Sequence, residues 1–182
     1  FGPRSHLNKS INYSSWLQSY QDAAPHGRLC GQVALWQAQQ GRYFIVEQPF
    51  PSTLYEEPPW PEVSSLDTVV SVVIHQCMTG LRGRNGGLVK KPTGFVANDD
   101  TLLEFLHPFQ CNGRHEHEVL GGSRATAAAQ IWTWKLATAI ADGICLLHKK
   151  LCSASKTLAY PSVGSGSLDE PTMDELLHPP ES

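Results

Sequence analysis

The stretch "SSLDTVVSVVIHQC", residues 64–77, sets Val69, Val70, Val72, Val73 and Ile74 within six positions, interrupted only by Ser71. Branched β-carbons are stiff at χ1 and pack well on a pleated surface, so the run predicts a strand from Thr68 to Gln76. Its near-continuous apolar content predicts cover on both faces. The strand runs into Cys77, and strand ends in α/β folds are where loops and ligands converge.

Working upstream, "RYFIVEQP" (42–49) is a second apolar run closed by proline, read as a buried strand from Arg42 to Val46. Before it, Pro25 suits the first turn of a helix, and Leu29, Val33 and Trp36 recur at helical spacing until Gly41 stops the pattern. Residues 1–24 are polar and read as irregular. Downstream, "LRGRNGGLVKKP" (81–92) is a glycine-rich basic loop, and "TGFVAND" (93–99) reads as a third strand. "DDTLLEFL" (99–106) predicts a short helix capped by Asp99 or Asp100. An alanine-rich helix is predicted from Arg124 to Lys149, with Trp132, Leu136, Ile140, Ile144 and Leu147 on one stripe. Helices alternating with apolar strands predict a layered α/β unit with at least partly parallel strands. Residues 1–150 form the expected domain, and the Ser/Pro/acidic stretch 151–182 reads as a disordered tail.

Composition narrows the classes. With 14 basic against 17 acidic residues in 182, nothing attracts nucleic acid or an anionic membrane globally, so such binding requires a local patch. No apolar run approaches the roughly 20 residues of a membrane span and no signal-peptide pattern is visible, which predicts an intracellular setting, nuclear if DNA is the partner. The five cysteines are odd in number and irregularly spaced, unlike a secreted disulfide framework. A chain opening on Phe1 is expected to be a piece of a longer product.

"CNGRHEHEV" (111–119) concentrates ligand chemistry. Cys111, His115 and His117 are zinc-ligand types at short chelate spacing, but a closed structural site needs four. Cys77 at the strand end is the expected fourth ligand, and His75, on the same face of the strand, competes with it. Four protein ligands leave no open position for water, so such a zinc would be structural. Without a metal, "RHEHE" would be a solvated loop and Cys77 a small buried hydrophobe.

Two further features carry candidate chemistry. Glu47 and Gln48, read as following a rigid strand, can aim a carboxylate into a pocket; the plain alternative is a partner for an arginine or a turn. Arg82, Arg84, Lys90 and Lys91, spaced by Gly83, Gly86 and Gly87, can follow a phosphate backbone, DNA above all, or form a solvated hairpin.

The order helix, G-x-x-F-x-x-E-x-P, apolar strand, x-C-x-x-G-L, K-K-P-T, C-x-x-x-H-x-H and alanine-rich helix resembles methyltransferase-like segments of mobile-element (retrotransposon-type) polyproteins. These are similar to the later half of cytosine-5 DNA methyltransferases. The resemblance covers residues 1–150 and implies a partial Rossmann-like layer, a short mixed sheet with flanking helices, plus a zinc-pinned loop. It also implies that Glu47 matches the glutamate that holds the ring edge of a flipped cytosine, although Gln48 and Pro49 replace the usual following pair. The Pro-Cys nucleophile and the glycine-rich turn that holds S-adenosylmethionine do not occur in this chain. That cofactor would bind only if a preceding region completed the domain. The implied alternatives are a methyltransferase-like fragment and a noncatalytic nucleic-acid or protein interaction module.

Overall fold

The computed structural model describes residues 5–119 and 129–157. Two helices come first, α1 (Ser5–Ile11) and α2 (Tyr13–Gln39). The irregular segment expected over residues 1–24 is therefore helical where it is described. Asn12 is the cap that the sequence reading passed over, its side-chain oxygen accepting the Ser15 N–H at 3.2 Å. Pro25 sits inside α2 rather than at its start. It removes one backbone donor there, at a typical cost of about 3 kcal/mol.

Packing of an unexpected face offsets that cost. The expected stripe of Leu29, Val33 and Trp36 is exposed, while Ala24, Gly27, Gly31 and Ala34 are buried. Small residues let the helix backbone approach Trp60 of α3 (Trp60–Ser64), whose indole N–H donates to the Gly27 carbonyl at 2.9 Å. A β-carbon on Gly31 would lie 2.9 Å from Pro59 and 3.0 Å from Trp60.

The sheet has three strands, β1 (Ile45–Pro49), β2 (Val70–His75) and β3 (Pro92–Ala97), in the order β1-β3-β2. Both pairings with β3 are antiparallel, which corrects the expected mixed, partly parallel sheet. The first two strands do run the same way, but β3 lies between them. β1 begins later than predicted, because the Phe44 N–H is taken by the Asn98 side chain at 2.8 Å instead of a strand partner. Glu47 and Gln48 therefore lie within an edge strand, not after it. Because β2 is the other edge, only Val72 and Ile74 of its residues are fully buried, and Ser71 is exposed.

Each face of the sheet has its own core. Val72, Ile74, Phe95 and Ala97 pack with Leu102, Leu103, Leu106 and Leu136, while Val46 and Val96 turn to the cluster of Ala34, Phe44, Leu54, Trp60 and Val63. On the first side, a 3₁₀ turn (Asp100–Leu102) replaces the expected short helix, and Asp99 is its cap. The last helix, α4, spans Trp134–Thr157, starting ten residues later than predicted and running through the beginning of the expected tail. Leu136, Ile140 and Leu147 are buried as predicted; Trp132, which precedes α4, and Ile144 are exposed. At Gly143 the helix comes so close to the 3₁₀ turn that a β-carbon would lie 2.6 Å from the Leu102 carbonyl oxygen.

The described residues up to Lys149 form one compact unit, and the described part of the second, which begins at Lys150, is the end of α4. The rest of the predicted tail lies outside the described residues. No helix among the described residues is long and apolar enough to cross a membrane.

Candidate metal centre

β2 delivers its last residues into a 3₁₀ turn (Gln76–Thr79) that ends at Gly80, where φ is +90°, a conformation natural only to glycine. This turn buries Cys77. The facing loop leaves the apolar core at Phe109, whose carbonyl accepts the His75 N–H at 2.9 Å. It then turns at Gly113, which also has a positive φ, so that the 111–117 segment folds back over Cys111.

As a result the ligand atoms of Cys77, Cys111, His115 and His117 all lie within 4.8 Å of one another, an arrangement that can hold a metal ion. Cys111 Sγ is 3.7 Å from His115 Nε2 and 3.4 Å from His117 Nε2, and the two imidazole centroids are 4.6 Å apart. Burial pushes the Cys77 thiol up to about 11, with the Cys111 sulfur adding to the effect. A metal ion binding there at neutral pH must displace a proton. Partial burial, with the neighbouring His115 and Lys90, lowers the His117 pKa and favours the neutral ring that coordinates metal. The Gly113 N–H donates to the Cys111 sulfur at 3.4 Å, holding the loop around it.

His75 has a different part. Its Nδ1 accepts the Cys111 backbone N–H at 3.1 Å, which puts the proton of the neutral ring on Nε2 and fixes the backbone that carries a ligand. Burial, with the Lys90 and His117 charges, lowers its pKa and keeps it an acceptor. Of the two residues that competed for the fourth position, Cys77 completes the cluster and His75 braces it.

Glu118 was not visible as a functional residue in the sequence. Its carboxylate enters the glycine-rich loop and accepts from the Asn85 N–H at 3.1 Å and the Gly87 N–H at 3.0 Å. A β-carbon on Gly83 would lie 2.4 Å from that carboxylate. Here the glycines admit the chain's own anion. The loop is closed further by an Arg82–Leu88 bridge and by the Leu88 carbonyl accepting the Glu118 N–H at 2.7 Å. Arg82, Arg84 and Lys90 remain exposed on this hairpin, although Arg82 also donates to the Gly86 carbonyl. Lys91 is half-buried and donates to the Ala129 carbonyl at 2.9 Å.

Glu47 lies in one row of the sheet with Phe95 and Val72. Its Oε1 is buried without a hydrogen-bond partner, and burial raises its pKa against the opposing pull of Lys91. Tyr55 belongs to the same electrostatic neighbourhood: its hydroxyl is buried and unpartnered, and burial followed by the Glu47 charge pushes it up to about 12. Gln76 is fully buried, donating to the Thr93 hydroxyl at 2.9 Å while its own Oε1 is unpaired. Glu47 and the metal centre are thus separate features, connected through the 76–91 segment.

Fold and site together define a small α/β layer with a three-stranded antiparallel sheet and a Cys₂His₂ cluster at one end. Comparison with known proteins finds no matching family model, curated protein or solved structure.

Proposed function

We propose that the Cys₂His₂ cluster is a closed structural zinc centre, and that it braces a basic hairpin that binds nucleic acid. The donor geometry carries the metal half of this reading. Tetrahedral zinc with bonds of about 2.3 Å to sulfur and about 2.05 Å to nitrogen sets sulfur and nitrogen ligands about 3.6 Å apart. The Cys111 separations of 3.7 and 3.4 Å lie on either side of that value. All four positions are taken by protein, so the metal supplies folding energy and leaves no site for an activated water. The binding half rests on Arg82, Arg84 and Lys90, exposed on a hairpin that Glu118 ties to the ligand His117.

Anisotropy with labelled duplex DNA, before and after chelation, tests this. Zinc-loaded protein should bind with a log–log salt slope near −2.7, about three phosphates' worth of counterions, and chelation should abolish binding. Binding that is unchanged by chelation and by Arg82→Ala/Arg84→Ala would refute it.

A second reading is favoured by the unpartnered buried oxygen of Glu47. A carboxyl whose pKa is raised by burial can share a proton with the ring edge of a flipped cytosine, the role implied by the resemblance to mobile-element methyltransferase-like segments and to the Rossmann-like layer of cytosine-5 DNA methyltransferases. On this reading the chain alone transfers no methyl group, since it contains neither the Pro-Cys nucleophile nor the S-adenosylmethionine turn. A longer protein supplying both should transfer methyl groups, and Glu47→Gln should slow it about a hundredfold. Radiolabelled transfer by the present chain would overturn this second reading.

A further inference from the structure

Beyond the residues of the Cys/His cluster, the turn after the Asp100–Leu102 segment and the first turns of α4 form a trough of about 670 Å³. Phe105, Phe109 and Trp134 supply aromatic walls, and Trp134 is 86% exposed. Glu104 and Asp142 also line it, and neither carboxylate has a hydrogen bond or ion pair among the described residues. Trp134 and Asp142 are eight residues apart on α4, so aromatic face and carboxylate share one side of the helix. The one cation in the lining, Lys135, is already engaged: its ammonium donates to the Met78 carbonyl at 3.1 Å and lies 5.3 Å from the Phe109 ring centroid. That contact is an internal example of what this wall accepts, an ammonium held over an aromatic face.

We propose that the trough binds a lysine or arginine side chain presented by a basic polypeptide. Glu104 and Asp142 outnumber Lys135 in the lining, and this net negative charge beside aromatic faces attracts an organic cation and disfavours phosphate, which argues against a nucleic acid here. The volume exceeds that of one ammonium head and accommodates the alkyl stem lying along the apolar wall. Because the trough is open to solvent over Trp134, it suits a group carried on a chain better than a free amine that must be enclosed.

The test is a titration of the intact, metal-loaded protein with capped tetralysine, followed by tryptophan fluorescence and calorimetry. Saturable binding is expected. Trp134→Ala and the double variant Glu104→Gln/Asp142→Asn should each weaken it about tenfold or more, with melting temperature and metal content unchanged. Absence of saturable binding at millimolar peptide would overturn the proposal, and so would equal affinity in both variants. Tetramethylammonium binding as tightly as the peptide would overturn the assignment to a polypeptide. Direct binding of a single-stranded oligonucleotide, without peptide, that Trp134→Ala weakens would overturn the choice of a cationic ligand.

Discussion

On the side of α2 and α3, the molecule is held chiefly by shape: Gly27, Gly31 and Ala34 admit Trp60, whose indole N–H donates to the Gly27 carbonyl, while Glu57, ahead of α3, accepts from Tyr20 and Arg28 of α2. Segments 76–91 and 111–118 are held differently, by His75 on the Cys111 amide and by Glu118 in the glycine loop, around a Cys77, Cys111, His115 and His117 cluster that can hold a metal ion. Among the described residues, Leu81, Val89 and Ala129 form a small apolar cluster beside them, and Met78 packs against the main core. Apolar burial is indifferent to chelators and changes little with pH, whereas a ligand set depends on both. The two regions should therefore respond to different perturbations, with a metal-sensitive end attached to a metal-insensitive layer.

The largest effect should come from Cys111→Ser. Structural zinc contributes apparent free energies of about 10–16 kcal/mol in small zinc modules, so losing one ligand should release most of the order in both segments. Hydrogen exchange should accelerate across 76–91 and 111–118 and remain slow in α2 and β3. Uniform acceleration throughout would erase the contrast between the two regions. Gly143→Ala attacks the apolar layers instead. Its new methyl meets the Leu102 carbonyl, and overpacking of this kind typically costs about 1–3 kcal/mol. Thermal melts should record that loss while metal stoichiometry is unchanged; a loss of metal as well would show the regions to be one cooperative unit.

Neither region was fully legible in the sequence, and for different reasons. The three strands and the Cys–His cluster were readable because branched apolar runs and chelate spacing are local patterns. The buried face of α2 was not, because it uses glycine and alanine, which carry little hydrophobic signal, while Leu29, Val33 and Trp36 advertise a face that is left exposed. The antiparallel pairing was likewise hidden: apolar runs fix where strands are, and only the return of β3 between β1 and β2 fixes their neighbours. Glu118 was invisible because its partners are backbone N–H groups some thirty positions away.

Glu118→Gln sharpens the contrast at smaller scale. It weakens charge-assisted bonds worth about 1.5–3 kcal/mol together, reduced by partial exposure, and should loosen residues 82–88 without releasing metal. Exchange at Asn85 and Gly87 is the readout; unchanged protection there would mean that the carboxylate is incidental to the hairpin.

The smallest effect concerns pH in the sheet. Glu47 has its folded pKa raised by burial, so its contribution is fully present below the ordinary carboxylate range and is lost as pH rises through the folded value. Glu47→Gln, which stays neutral, should raise the melting temperature at neutral pH and leave it nearly unchanged in acid. A variant equally shifted at both pH values would show that Glu47 ionises there without penalty.

The central claim, a closed four-ligand zinc centre, is tested most directly by X-ray absorption on the zinc-loaded protein. The expected spectrum is a first shell of two sulfurs at about 2.3 Å and two nitrogens at about 2.0–2.1 Å, with about one zinc per chain. A shell containing oxygen, or one that is unchanged when Cys77 is replaced by serine, would contradict it.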